Sequence, residues 1–240
     1  MSRPFLTAEW RNLFLVTYAV PPALLEKRLA PGLSLDTRDG NAFVSLVAFE
    51  FLRVAPQFPL VRWIVPRVSL GNFAELNLRF YVRRGEERGV VFVREFVPQR
   101  LIAWIAKWIY NEPYLAAPVR VIRHELADRI ELDYRLRFAG REHGIQVIGT
   151  RPAYRPEAGT DEHFFKEHHW GFGVTRRGQT LRYQVDHPVW DVYPVRSYSL
   201  DLDFAAVYGP EWGFLQEATP VSTVLAVGSA IAVHPKGRMG

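Results

Sequence analysis

Phe73-Ala74-Glu75-Leu76-Asn77-Leu78-Arg79-Phe80-Tyr81-Val82 is the stretch whose reading decides the fold. Its even positions from 76 to 82 hold leucine, leucine, phenylalanine and valine. Its odd positions from 75 to 81 hold glutamate, asparagine, arginine and tyrosine. Successive side chains of a strand point to opposite faces. One face is therefore continuously apolar, and the other carries an acid, an amide, a guanidinium and a phenol in a row. Such a row is either a surface facing water or the lining of a polar cavity.

Working outward, the charged turn Gly85-Glu86-Glu87-Arg88-Gly89 sends Val90–Phe96 back antiparallel to this strand. Upstream, Leu13–Val20 has strand length. Pro21-Pro22 then suits the first turn of a short helix over Ala23–Leu29, stopped by Pro31-Gly32. Leu33–Asp36 and Ala42–Arg53 flank Arg38-Asp39-Gly40-Asn41, a hairpin signal. Pro56–Val68 reads as a covering loop. Downstream, Gln99–Tyr110 has helical spacing, with Leu101, Trp104, Ile105 and Trp108 in one stripe. Val119–His124, Ile130–Phe138 and Ile145–Thr150 read as a meander whose middle strand alternates apolar and charged residues. Asp161 is placed to cap a short helix through Glu167. Gly171–Thr175 and Thr180–Asp186 form a hairpin, then come Val192–Leu200, an irregular or helical segment over Asp201–Gln216, and a last strand, Ser222–Val233. The expectation is one mainly β (α+β) domain over residues 1–240. Its antiparallel sheet curves or closes on itself, with a few short helices laid over it.

The 240 residues are 48% hydrophobic and 23% charged, a globular composition long enough to bury a core. The formal charge of +5 is carried by dispersed arginines, without a basic helix or an aromatic-interleaved RNA motif, so no nucleic-acid partner is expected. Cysteine is absent, which excludes disulfides and thiolate chemistry. The N-terminus lacks a signal pattern, and the longest apolar runs, Leu101–Tyr110 and Val221–Val233, are too short to span a bilayer. A cytoplasmic protein with no membrane partner is expected, open to assembly as a homo-oligomer. No Gly-x-Gly-x-x-Gly, P-loop or Gly-x-Ser-x-Gly occurs, and no cofactor is expected.

The order of these pieces resembles the YqjF-like family of unknown function, within the acetoacetate-decarboxylase-like superfamily. The resemblance rests on Val20-Pro21-Pro22 through Leu24, Leu29-Ala30-Pro31-Gly32-Leu33, and the Glu75-x-Asn77-x-Arg79-x-Tyr81-Val82 run. Gly89 to Phe92, Glu112-Pro113-Tyr114 with Ala116, and His187-Pro188-x-Trp190 extend it. It implies a cone-like β-barrel with a central cavity and no established activity. In the decarboxylases a Pro-Lys lysine forms a Schiff base with a β-keto acid, and acetoacetate decarboxylase exemplifies a lysine activated by its surroundings. Here the comparable segment is Asn111-Glu112-Pro113-Tyr114, with tyrosine where that lysine would stand. Tyrosine forms no iminium ion. Glu75 resembles the superfamily's strand acid.

These readings nominate Glu75, Asn77, Arg79 and Tyr81 as ligand-binding residues for a small oxygen-bearing or carboxylate molecule of unknown identity. The competing reading is a solvated face like Glu131 to Arg137. Glu112 and Tyr114 are placed at the cavity mouth or, alternatively, at a helix end. His187 is either a turn residue packed on an aromatic or a cavity group. Lys107, within Trp104-Ile105-Ala106-Lys107-Trp108, is either a desolvated amine for imine chemistry or a lysine reaching out to water. Glu75, Lys107 and Tyr114 are the catalytic candidates. A third reading is a structural or interaction domain whose barrel is filled by its own side chains. His163 and His168 lie five apart, not the four that aligns two ligands on a helix, so no metal site is expected there.

Overall fold

A computed structural model describes residues 3–57, 71–100, 113–175 and 177–238. The deciding stretch is a strand, β4 (Phe73–Arg84). Its neighbours are β3 (Ala42–Pro56) and β5 (Glu87–Val97), both antiparallel to it. From β3 the sheet continues to β1 (Leu6–Val20) and β14 (Ser222–Val233). From β5 it continues to β10 (Trp170–Val174) and β11 (Thr180–Asp186). β11 also pairs with β14, so these strands form a closed ring. Most pairings are antiparallel, but β10 and the short β6 (Tyr114–Ala116) each run parallel to β5.

A second, 4-stranded sheet has the order β13-β9-β8-β7, from β7 (Val119–Glu125), β8 (Arg129–Phe138), β9 (Arg141–Thr150) and β13 (Val195–Asp201). The even face of β4 packs against it. Leu76, Leu78, Phe80 and Val82 share a cluster with Ile130, Leu132, Tyr134, Leu136 and Val147, and Phe204 and Trp212 join them. The odd face turns the other way, into the ring, where Tyr81 packs with Leu13, Leu15, Val47, Phe49 and Phe165. Glu75, Asn77 and Tyr81 are all buried. The row therefore faces an enclosed interior and not bulk water.

A buried polar knot ties the two sheets together. Asn12, held at φ 55° in a β1 bulge, donates from Nδ2 to Glu50 Oε2 (2.7 Å). Arg123 of β7 bonds the same carboxylate (3.1 Å), and the Tyr134 hydroxyl donates to the Asn12 carbonyl (2.7 Å).

Several local expectations change. β1 begins at Leu6 and not at Leu13, because pairing with β14 and β3 carries it through the polar bulge. Arg38-Asp39-Gly40-Asn41 does form a tight turn, with Asp39 and Gly40 at positive φ. Its arms do not make a hairpin, however: β2 (Ser34–Leu35) pairs with β4 instead of β3. Pro194 divides the expected Val192–Leu200 strand. β12 (Val192–Tyr193) joins the ring sheet and β13 the second sheet. A two-residue strand, β15 (Gly237–Arg238), follows β14. The first helix, α1 (Pro22–Glu26), is shorter than expected. The next described helix, α2 (Asp161–Lys166), is capped by Thr160, whose hydroxyl accepts from the His163 N–H, and not by Asp161. Between β13 and β14 lie α3 (Phe204–Tyr208) and a 3₁₀ turn, Pro210–Gln216. All but the first two residues of the helix expected over Gln99–Tyr110, and most of the loop expected over Pro56–Val68, lie outside the described residues.

Leu78 is fully buried between the sheets. Truncating a buried leucine removes its transfer energy and leaves a cavity. Leu78→Ala is expected to lower the unfolding free energy by about 2–5 kcal/mol, measured by urea denaturation with an unchanged slope against denaturant.

Candidate active site

Register on β4 explains what converges. Glu75, Asn77 and Arg79 lie opposite Phe49, Val47 and Ser45 of β3, and Asn77 lies opposite Glu95 of β5. Period-two alternation then puts Glu75, Asn77, Glu95 and Arg79 on the same, interior-facing side. The Asn77 amide donates to Glu75 Oε1 (3.0 Å), and the Tyr114 hydroxyl of β6 makes a long contact to Glu75 Oε2 (3.5 Å). Glu75 is 2% exposed and Glu95 is 1% exposed.

Burial dominates the electrostatics. It pushes the Glu75 carboxyl up to about 7, against hydrogen bonds from Asn77, Glu95 and Tyr114 and the charge of Arg79, which all pull it down. Glu95, a second buried carboxyl, lies in hydrogen-bond contact with Glu75. Two further polar atoms nearby are buried without a hydrogen-bond partner among the described residues: Asn77 Oδ1 and Arg79 Nε. An acceptor and a cationic donor are thus left open beside an acid whose pKa lies near neutrality.

The Tyr81 end of the row is different. Its hydroxyl bonds Ser45 Oγ, which in turn bonds Thr17 Oγ1 (2.7 Å), and it also reaches the Phe165 carbonyl (3.4 Å). Arg79 Nη2 donates to the same carbonyl (3.1 Å). Phe165 and Phe164 of α2 pack against Tyr81 and Phe43. Tyr81 thus closes the row while Glu75 leaves it chemically open. His168 follows α2, is buried against Tyr81 and accepts from Arg88 (3.4 Å), itself bonded to Asp36 (2.6 Å). Burial, first, and nearby arginines depress His168 to about 4, although Asp36 opposes them.

Among the other candidates, His187 is partly buried and stacked between His169 and Trp190. Glu112 and Lys107 lie outside the described residues. The sequence reading missed Glu95 and the Asp36–Arg88–His168 group. For Glu95 a signal existed: it is the acid within the apolar stretch Val90–Phe96, directly across from the polar row. The reading also passed over Lys166, whose side chain is fully buried and paired with Glu167.

A ring of strands closed around an interior acid, backed by a second sheet, defines an acetoacetate-decarboxylase-like fold. The chain aligns with an acetoacetate decarboxylase-like enzyme from Sphingomonas wittichii RW1 at a TM-score of 0.68 and 13% identity, covering 99% of this chain and 94% of that one. It aligns with the enduracididine biosynthesis enzyme MppR complexed with pyruvate at 0.64 and 12%, covering 100% and 92%. Acetoacetate decarboxylase from Legionella pneumophila gives 0.61 and 14%, covering 100% and 88%. No curated protein matches. The protein belongs to the DUF2071 family of uncharacterized conserved proteins, whose model matches residues 7–229.

The raised acid has a thermodynamic consequence. Between 4.5 and 7 the folded state holds the Glu75 proton that the unfolded state has released, so this group's contribution to stability falls as pH rises. His168 works in the opposite sense, because between 6.5 and 4 the unfolded state takes up a proton that the folded state refuses. The difference between the parent and Glu75→Gln isolates the first effect. The variant is expected to gain on the parent by on the order of 3 kcal/mol as pH rises across the Glu75 window, read from chemical denaturation at a series of pH values. A constant difference would show that Glu75 is ionised in the folded protein throughout.

Proposed function

We propose that the protein binds a small carboxylate or carbonyl compound inside the ring of strands and moves a proton on it, with Glu75 as the acid–base group. The observation that carries this reading is the Glu75 carboxyl at about 7 with Asn77, Tyr114 and Glu95 around it. A group titrating near the working pH is effective in both proton donation and proton removal. Arg79, with an open Nε–H, is the anchor for a ligand carboxylate or enolate oxygen. Asn77 Oδ1 accepts from a ligand hydroxyl or from the enol form. Tyr114 steadies the Glu75 charge when it forms. A neighbour of the same fold complexed with pyruvate supports an oxo acid as the ligand class.

A Schiff-base lyase remains a distinct second reading. It rests on Lys107 and on the lysine chemistry of the superfamily that the sequence resembles. Borohydride trapping with β-keto acids, followed by peptide mapping, separates the two: an adduct on Lys107 selects the imine route.

The direct test is proton exchange. The parent is incubated in deuterated buffer with a panel of small 2-oxo and 3-oxo acids, and NMR follows deuterium entering the carbon beside the carbonyl. Exchange above the buffer rate is expected for at least one compound. Glu75→Gln is expected to slow it about 10²–10⁴-fold while retaining ligand-dependent thermal stabilisation. Arg79→Ala is expected to lose that stabilisation. A parent that neither exchanges nor is stabilised by any member of the panel refutes the proposal.

A further inference from the structure

The segment after α2 and the end of β11 bring together three side chains that the reading at Glu75 does not use. β10 and β11 pair with Trp170 opposite Gln184, and the Val185 N–H donates to the His169 carbonyl (2.8 Å). This pairing sets Glu167 and His169 beside His187. One ligand atom from each, a carboxylate oxygen and two imidazole nitrogens, lies within 4.8 Å of the others.

Backbone contacts orient both rings of the trio. His169 Nδ1 faces the Val185 carbonyl (3.3 Å), and His187 Nδ1 faces the Pro188 carbonyl (2.9 Å). A carbonyl only accepts, so the neutral tautomer that donates from Nδ1 presents Nε2 of each ring as a lone pair. His187 Nε2 is buried and has no hydrogen-bond partner among the described residues. Glu167, 9% exposed, is oriented by one oxygen: Oε1 takes Lys166 Nζ and the Trp190 N–H (3.2 Å). Its other oxygen, Oε2, is buried and has no hydrogen-bond partner among the described residues. Three side chains able to donate an electron pair thus crowd together. Each is fixed from behind by a backbone carbonyl, or by an ammonium and an N–H, as outer-shell partners fix metal ligands.

We propose that Glu167, His169 and His187 form a binding site for a divalent transition-metal ion of the zinc class. Two imidazoles and one carboxylate suit such an ion, and three protein ligands leave a coordination position for water or an oxygen-bearing ligand. The metal-free rings of His169 and His187 stack at 4.4 Å and 21°. A metal lies in the plane of each imidazole that binds it, so binding must unstack them and draw the three donors in by about an ångström to reach bond lengths of about 2 Å. Trp190, stacked on His187 at 4.1 Å, reports that movement. The proposal is independent of the proton-transfer reading at Glu75 and stands or falls separately.

The test uses untagged full-length protein stripped with a chelator and titrated with zinc by calorimetry and with cobalt by visible absorption. One equivalent of each is expected to bind, with a change in tryptophan fluorescence and with visible bands of low-coordinate cobalt. His187→Ala and Glu167→Gln are each expected to weaken binding at least tenfold, whereas His163→Ala, outside the trio, leaves it unchanged. Should a variant not fold, imidazole nitrogen NMR of the parent decides, because zinc must shift the ring nitrogens of two histidines only. Absence of stoichiometric binding by the parent, variants that bind like the parent, or zinc shifts on other histidines would each overturn the site.

Discussion

The architecture depends on one strand having two incompatible faces. Leu76, Leu78, Phe80 and Val82 gain by leaving water, and the second sheet supplies the surface that lets them do so. That commitment fixes the opposite face. With period-two alternation, sealing the even residues between the sheets turns Glu75, Asn77, Arg79 and Tyr81 into the ring. A one-residue slip of β4 would place a glutamate and an arginine in the apolar layer, so its register is strongly specified. Burial of the polar row is in this sense a by-product of packing, and the protein then has to reconcile four polar groups with an interior.

It does so unevenly along the strand. At Tyr81 the solution is complete: a chain of hydroxyls through Ser45 and Thr17, a backbone carbonyl from Phe165, and aromatic rings around it. At Glu75 it is incomplete. The acid keeps its proton to nearly neutral pH, and Asn77 and Arg79 keep atoms with nothing to bond among the described residues. Each such unmade bond costs about 1–3 kcal/mol, which a purely structural interior would be expected to eliminate. The contrast along a single strand separates the part of the row whose polar groups are fully bonded from the part where they are not.

The strand and its alternation were legible because binary pattern is a local property. The meander β7–β8–β9 was legible for the same reason, with Ile130 to Phe138 alternating without a break. Readings failed where partner choice is not local. The Asp39-Gly40 turn was recognised, yet β2 pairs with β4, a decision made by the geometry of the closing ring. The start of β1 was hidden because its first half carries Glu9, Arg11 and Asn12, which break the apolar run and are held by a bulge and by contacts to Glu50 and Arg53. In the site, Glu75 and its row stood out, but Glu95 did not. Its approach to Glu75 depends on the register across a bulge at Leu78 and Arg79, which no spacing rule encodes. The trio of Glu167, His169 and His187 escaped because helical ligand spacing looks within one element, whereas these residues meet across the ladder that joins β10 to β11.

The place of Tyr114 bears on how such a fold could change its chemistry. In the resemblance to the decarboxylases, this is the position at which a lysine would attack a carbonyl carbon. Here a phenol stands there, and its hydroxyl is directed at Glu75. An amine at that point would be a second nucleophile and, when protonated, a cation drawing the Glu75 pKa down. A phenol is neutral near pH 7 and lowers it only through a hydrogen bond, so the desolvated acid keeps a pKa suited to exchanging protons. A phenol at this position is therefore compatible with a Glu75 pKa near neutrality, which a protonated amine at the same place would oppose.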